Sequence, residues 1–190
     1  MTTPDSPTPD VIGIFDSGVG GLTVVRAIRD RFPRANLLYL GDTARVPYGT
    51  KSAAVVQRYA VTCARFLATH GATQLVIACN TASAYGLDAI RAELDLPVTG
   101  VVEPGAAFAC EHAPGGAIGV IATEGTIASG SYQNAIRRER PTARILATAC
   151  PLFVPLAEEG FGESEAAHLI ARHYLDAFAE SGLESLVLGC

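Results

Sequence analysis

The sequence has no tryptophan, only one methionine and only one lysine, Lys51. Charged residues make up 17% of the 190-residue chain and hydrophobic residues 49%, a balance that excludes an intrinsically disordered protein. The 19 glycines and 11 prolines are spread along the chain, which excludes collagen-like and low-complexity classes. The chain is therefore globular, with a length typical of one domain or two small ones.

Basic patches, long apolar runs and export signals are also missing. The net charge is −5, and the one cluster of arginines, residues 137–140, is interrupted by Glu139, so we expect no nucleic-acid partner. The longest apolar runs, such as residues 75–79, are too short to cross a bilayer, so we expect no membrane partner. Residues 1–10 lack the basic and apolar regions of a signal peptide, which predicts a short disordered tail on a cytoplasmic protein.

The five cysteines are an odd number in a chain without an export signal, so we do not expect a disulfide framework. No two cysteines have CxxC spacing and no Cys/His cluster has zinc spacing, so we assign no metal. Each cysteine is then either a small buried hydrophobe or a reactive thiol. We expect Cys63, Cys110 and Cys150 to be structural.

Apolar strand-like runs alternate with segments of helical spacing, which predicts an α/β fold with mostly parallel sheets covered on both faces. The predicted strands of the first half are 11–15, 36–40, 74–78 and 97–102. A long helix is predicted in the second half over 164–180, with Leu169 and Phe178 facing inward. Ligands bind at the carboxyl ends of parallel strands. This rule selects the following candidates: Asp16, Ser17, Gly41, Asp42, Cys79, Asn80, Thr81 and Glu103.

The second half of the chain repeats the first. Three segments recur in the same order: 12–17 with 118–123, 46–47 with 154–155, and 75–79 with 186–190. Two α/β halves can resemble each other without any functional reason, since apolar strands are alike. The near-constant offset favours two pseudo-symmetric, three-layer α/β/α lobes, residues 11–98 and 99–190, with the active site in the cleft between them.

The repeat places Cys79 and Cys190 at matching strand ends, each lobe adding a hydroxyl residue, Ser17 or Thr123. A metal would find only two ligands here, and a redox pair would need the thiols at disulfide distance. Two opposed thiols suit proton transfer at a stereocentre, because one can remove a proton from one face while the other returns a proton to the opposite face. The helix N-termini after the cysteines should favour the thiolate form.

Five motifs in order resemble those of glutamate racemase, in the aspartate/glutamate racemase superfamily. They are GIFDSGVGGLT at 13–23, GDTARVPYG at 41–49, ACNTAS at 78–83, GTI at 125–127 and CPLFVP at 150–155. The resemblance implies conversion of L-glutamate to D-glutamate for peptidoglycan, with no cofactor. It implies glutamate as the small-molecule partner and leaves a homodimer as an option.

The resemblance also implies roles for individual residues. Cys79 and Cys190 would be the catalytic acid/base pair, with Asp16 assisting Cys79 and Glu158 assisting Cys190, although Glu159 is adjacent. The substrate-binding residues would be Asp16, Ser17, Tyr48, Gly49, Asn80, Thr81 and Thr123.

One departure from the family pattern concerns the end of the sequence. The family continues with Thr-His after the second cysteine, whereas this sequence stops at Cys190. We therefore expect a second lobe truncated at its C-terminal end and little activity from the 190-residue chain. Two alternatives stay open at this point. One is a racemase of another small acid, aspartate or a hydantoin, and the other is a non-catalytic binding protein on the same fold.

Overall fold

A computed structural model describes residues 10–190, which form two parallel β-sheets flanked by helices. The disordered tail is predicted over residues 1–10, and residues 1–9 lie outside the described residues. None of the described helices is long and apolar enough to cross a membrane.

The first sheet has four parallel strands: β1 (Val11–Asp16), β2 (Asn36–Gly41), β3 (Gln74–Ile77) and β4 (Val98–Gly100). Its helices are α1 (Leu22–Arg31), α2 (Ala53–Thr69) and α3 (Asn80–Glu93). The strand order is β2-β1-β3-β4. Right-handed crossovers in this order place α1 on one face of the sheet and the mutually packed α2 and α3 on the other, which gives three layers.

The second sheet has three parallel strands: β5 (Ala117–Ala122), β6 (Ile145–Ala149) and β7 (Leu183–Gly189). Its helices are α4 (Val102–Glu111), α5 (Glu124–Ser129), α6 (Ser131–Glu139), α7 (Phe153–Glu158) and α8 (Glu165–Leu175), the last followed by a 3-10 turn, Asp176–Phe178. Side chains alternate across β5, so Ile118 and Val120 pack with α4 and α6 while Ile121 packs with Phe178 on the opposite face.

The two sheets repeat one topology, since the order β6-β5-β7 matches β2-β1-β3. The predicted α/β class with two related sheets is therefore confirmed. The copies differ at the proline anchors: Pro47 lies in a loop, whereas Pro155 lies inside α7. Pro47 follows a cis peptide bond.

Two predicted boundaries differ from the structure. The strand predicted over 97–102 ends at Gly100, and Val102 begins α4, whose Pro104 lies in the first turn, where a helix tolerates proline. Because β4 pairs with β3, the first sheet extends beyond the lobe boundary placed after residue 98. The helix predicted over 164–180 ends at Leu175, and Leu169 is 60% exposed rather than inward.

Candidate active site

Cys79 lies two residues beyond β3 and forms the N-cap of α3. Its sulfur accepts a hydrogen bond from the Ala82 backbone N–H at 3.4 Å, and its thiol donates to Ser17 Oγ at 3.5 Å. The residue is only 6% exposed. The strand end and the helix start thus hold this thiol against the turn that follows β1.

Cys190 follows β7 directly, at the position of the second sheet that corresponds to Cys79 in the first. The residue is exposed, and its thiol makes no hydrogen bond with residues 10–190. Its charge nevertheless acts on Cys79, so the two thiols of the repeat share one electrostatic environment. The structure therefore brings the two predicted catalytic residues near each other.

Asp16 ends β1 and is buried. Its Oδ2 accepts a bond from the Gly18 backbone N–H at 2.9 Å, which fixes the carboxylate inside the turn after the strand. Its charge acts on both Cys79 and Cys190. Asp16 and Ser17 are thus at the thiols, where the strand-end rule placed them.

Glu158 ends α7 in the second lobe and reaches across to the first. A Cβ built on Gly18 would lie 2.7 Å from Glu158 Oε1, which shows how closely this carboxylate approaches the Asp16 turn. The charge of Glu158 acts on Cys190 and on Tyr39, whereas Glu159 acts on neither. The structure distinguishes between the two adjacent glutamates, a choice that the sequence left open.

Tyr48 is held inside the first lobe, whereas Gly49 connects the lobes by its backbone. The Tyr48 ring is fully buried in the first-lobe core, and its hydroxyl donates to Asp42 Oδ2. The Gly49 carbonyl accepts a bond from the Gly125 N–H at 3.0 Å, and a Cβ on Gly49 would lie 2.4 Å from Thr123 Cβ. Any direct role of Tyr48 in binding thus rests on its backbone, since its side chain is held inside the first lobe.

Thr81 and Thr123 meet across the lobe interface together with Thr126. The three hydroxyls bond one another, at 2.9 Å between Thr81 and Thr123 and at 3.0 Å from each of these to Thr126. Thr123 also caps α5 by accepting from the Thr126 N–H at 3.2 Å. Asn80 joins the same interface, since its Oδ1 accepts a bond from the Tyr132 hydroxyl at 2.6 Å.

Comparison with known proteins identifies the family of this chain. Residues 22–190 match the family model described as Asp/Glu/Hydantoin racemase. The chain belongs to the Asp/Glu/hydantoin racemase family. A glutamate racemase from Geobacter metallireducens is 54% identical over 179 residues, which cover 94% of this chain and 66% of the relative.

Solved structures agree. The chain resembles the glutamate racemase from Thermus thermophilus in complex with beta-chloro-D-alanine, at a TM-score of 0.83 and 48% identity, covering 95% of this chain and 67% of that one. It also resembles the Francisella tularensis glutamate racemase in complex with D-glutamate, at a TM-score of 0.89 and 38% identity, covering 95% and 68%. The resemblance inferred from the motifs is confirmed, and the chain spans about two thirds of the length of these relatives.

Burial is the main influence on the pKa values of the two thiols. Burial, followed by the charge of Asp16, raises the pKa of Cys79 to about 12, while the bonds with Ser17 and Ala82 act in the opposite direction. Desolvation by the surrounding protein, followed by the charges of Asp16 and Glu158, raises the pKa of Cys190 to about 11, although the residue is exposed at the surface. The predicted helix effect is thus present at Cys79 but outweighed, and both thiols are neutral at neutral pH.

Two surface cavities, of about 460 and 510 Å³, lie away from this site. One borders the 3-10 turn and the other runs along α1, and none of the predicted site residues lines either cavity. We place the site by its chemistry, because the thiols and carboxylates are at the lobe interface. Among residues 10–190, no group of three His, Cys, Asp or Glu side chains could hold a metal ion.

One predicted candidate lies away from the thiols, and two tyrosines at the site are not predicted from the sequence. Glu103 is exposed on α4 and bonds Arg138 at 3.2 Å, away from the thiols. Tyr39 and Tyr132 were not predicted, although the hydroxyl of Tyr39 donates to the Gly18 carbonyl at 3.0 Å. The alternation of β2 could have indicated Tyr39, whereas nothing in the sequence around Tyr132 distinguishes it from a core residue.

Proposed function

We propose that this chain carries the site of a racemase that interconverts L- and D-glutamate by transfer of protons between two thiols, without a cofactor. The observation that carries the proposal is the pairing of Cys79 and Cys190. They occupy equivalent strand ends of two repeated sheets and are affected by the same Asp16 carboxylate. Relatives named glutamate racemase, one of them bound to D-glutamate, support the choice of substrate.

The proton transfer balances without any further reagent. One cysteine, as thiolate, takes the α-proton of glutamate, so its S–H bond forms as the C–H bond breaks and the electron pair stays on the α-carbon. The other cysteine, as thiol, donates its proton to the opposite face of that carbon and becomes the thiolate. The product has inverted configuration, and the two cysteines have exchanged their protonation states.

The raised pKa values fit this task. The α-proton is very weakly acidic, and a thiolate with a pKa of about 11 or 12 is a stronger base than an ordinary thiolate. Its formation needs help near neutral pH, and the ammonium group of bound glutamate would lower both thiol pKa values by its positive charge. Asp16, beside Cys79, and Glu158, beside Cys190, would assist proton transfer at these thiols by position.

The substrate would lie between the lobes, against the N-terminus of α3. Backbone N–H groups at a helix start favour a carboxylate, and α3 is a helix of 14 residues. Ser17, the backbone of Tyr48 and Gly49, and the hydroxyls of Thr81 and Thr123 would supply the remaining polar contacts. The amide nitrogen of Asn80 would donate to a carboxylate of the substrate.

The wider role follows only from the family resemblance. D-glutamate would be used in peptidoglycan synthesis, the enzyme would act in the cytoplasm, and a homodimer stays a prediction. None of these enters the argument for the thiol chemistry.

Exchange of the α-proton tests the proposal for each thiol separately. The chain is incubated in D₂O with either L- or D-glutamate, and loss of the α-proton signal is followed by NMR. We expect slow exchange from both enantiomers in the wild type, because little activity is predicted for the 190-residue chain and exchange registers removal of the α-proton even where turnover is low. Cys79→Ser should abolish exchange from one enantiomer and Cys190→Ser from the other, because each thiol faces one side of the α-carbon.

The matched control is Cys110→Ser, since Cys110 lies on α4 and its thiol donates only to the Ile136 carbonyl at 3.9 Å. This variant should exchange both enantiomers at the wild-type rate. Unchanged exchange in Cys79→Ser or Cys190→Ser would refute the two-thiol mechanism. Absence of exchange from glutamate in the folded wild type would refute the proposed function, and exchange from aspartate alone would refute the proposed substrate.

A further inference from the structure

One tyrosine of the second lobe contacts the chain neighbours of both thiols. Tyr132 lies on α6 and is only 2% exposed. Its hydroxyl donates to Asn80 Oδ1 at 2.6 Å, and Asn80 directly follows Cys79.

The ring of Tyr132 is held between two glycines. A Cβ built on Gly189 would lie 3.2 Å from the ring atom Cε2, and Gly189 directly precedes Cys190. On the other side, a Cβ on Gly105 of α4 would lie 3.2 Å from the hydroxyl and 3.3 Å from Cε1. Glycine at both positions lets the backbone approach the ring, so the ring supports the end of β7 from which Cys190 projects.

The bond from Tyr132 also sets the orientation of the Asn80 side chain. An amide has one oxygen that accepts and one nitrogen that donates two hydrogens. Because the oxygen faces Tyr132, the nitrogen points the other way, and no residue among 10–190 accepts a hydrogen bond from it. The Asn80 amide is therefore held with free donors beside Cys79.

We propose that Tyr132 is a positioning residue that orients the Asn80 amide toward a substrate carboxylate and supports the Gly189–Cys190 backbone. This inference rests on the proposed function for the identity of the substrate. It links the two halves of the site through one side chain, since the hydroxyl acts next to Cys79 and the ring next to Cys190. The charge of Cys190 contributes, after burial, to raising the pKa of Tyr132 to about 12, in keeping with this proximity.

Two variants disturb the hydroxyl in different ways. Tyr132→Phe removes the oxygen and keeps the ring between the glycines. Gly105→Ala keeps the oxygen but places a methyl group where the hydroxyl needs room, so the hydroxyl must move by a few tenths of an ångström. The controls are Tyr59→Phe, whose lost hydroxyl bonds no described residue, and Gly162→Ala, whose added Cβ meets nothing within 4 Å.

The first readout is the side-chain amide signal of Asn80 in a nitrogen–proton NMR spectrum. The chain has only three asparagines, Asn36, Asn80 and Asn134, so the signal can be assigned by substitution. We expect it to shift in Tyr132→Phe and in Gly105→Ala and to stay in place in both controls. An unmoved Asn80 signal in Tyr132→Phe would overturn the proposal whether or not the chain binds glutamate.

The second readout is the dependence of α-proton exchange on glutamate concentration. Loss of one hydrogen bond should raise the half-saturating concentration by roughly three- to tenfold in Tyr132→Phe, with the exchange rate at saturation within about twofold because the ring remains. A purely structural role would instead lower the amount of folded protein and leave the half-saturating concentration unchanged.

A double variant decides whether Tyr132 acts through Asn80. Once Asn80→Ala has removed the amide, adding Tyr132→Phe should cause no further rise in the half-saturating concentration. Additive effects would overturn the proposal. A wild-type chain that neither binds nor exchanges glutamate would instead refute the proposed function, while the Asn80 signal would still decide whether Tyr132 orients that amide.

Discussion

The raised pKa of Cys190 predicts slow reaction with a disulfide reagent at pH 8. An ordinary thiol with a pKa of 9.0 is about one-tenth ionised at that pH, whereas a thiol with a pKa of about 11 is ionised in about one molecule in a thousand. The thiolate with the higher pKa is intrinsically more nucleophilic, by about eightfold for this difference. We therefore expect Cys190 to react up to about tenfold more slowly than the same cysteine in an unfolded peptide. Solvent screening at this exposed residue makes the slowing smaller than this upper value.

The assay follows the reaction with 5,5′-dithiobis(2-nitrobenzoate), and mass spectrometry identifies the modified residue. The reference is a peptide of residues 183–190, which carries the same cysteine with the same neighbours in sequence. The slowing should decrease from about tenfold at pH 8 to almost nothing at pH 10. At the higher pH the reference peptide is already almost fully ionised, whereas the ionised fraction of Cys190 still increases. Steric protection would instead slow the reaction by the same factor at every pH.

Substitution of single carboxylates then identifies the cause. Asp16→Asn should speed the reaction of Cys190, and Glu158→Gln should speed it by roughly two- to fivefold, since the charges of both residues raise its pKa. Glu159→Gln is the matched control and should leave the rate unchanged. A slowing that does not depend on pH, or an equal response to Glu159→Gln, would refute the electrostatic reasoning.

Two further predictions concern stability. Gly49→Ala should destabilise the fold by ~1–3 kcal/mol in urea unfolding, because its Cβ would lie 2.4 Å from Thr123 Cβ and the lobes would have to separate; Gly162→Ala, in open space, should change stability little, and equal effects would contradict the prediction. Burial raises the pKa of Cys79 from 9.0 to about 12, so its neutral thiol favours the folded state below pH 9, and this contribution is lost as the pH rises. Between pH 8 and pH 10 the wild type should lose on the order of 1 kcal/mol more than Cys79→Ser, and equal losses would show that this thiol is not buried as described.

Apolar pattern predicts most of the fold because it reports directly on burial. The strands predicted at 11–15, 36–40 and 74–78 each agree with the structure to within one residue at either end. The sequence predicts a strand over the whole run 97–102, because periodicity alone cannot separate a short apolar strand from the start of a buried helix. Helical spacing predicts that Leu169 faces inward, but in the structure Leu169 is exposed on the surface of α8.

The residues of the candidate site form two groups, those that local sequence predicts and those that depend on how the lobes pack. The rule that ligands bind at the carboxyl ends of strands needs only local sequence, and it placed Asp16, Ser17 and Cys79 together. The choice of Glu158 over Glu159 and the contacts of Tyr132 depend on how one lobe packs against the other. Glycines such as Gly49, where a Cβ would lie 2.4 Å from Thr123 Cβ, permit a close approach of the lobes that no local pattern records.

The two lobes repeat a topology, and the proposed proton inversion would use the equivalent strand ends that this repeat supplies. Equivalent strand ends bring the thiols to one site, where the charge of one raises the pKa of the other, so only one of them ionises readily at a time. In the proposed mechanism each inversion exchanges which cysteine is ionised, so thiols of very different pKa would favour one direction of proton transfer while the substrate is bound. Burial raises the pKa of both thiols, to about 12 for Cys79 and to about 11 for Cys190, and a similar rise on both sides suits transfer in either direction.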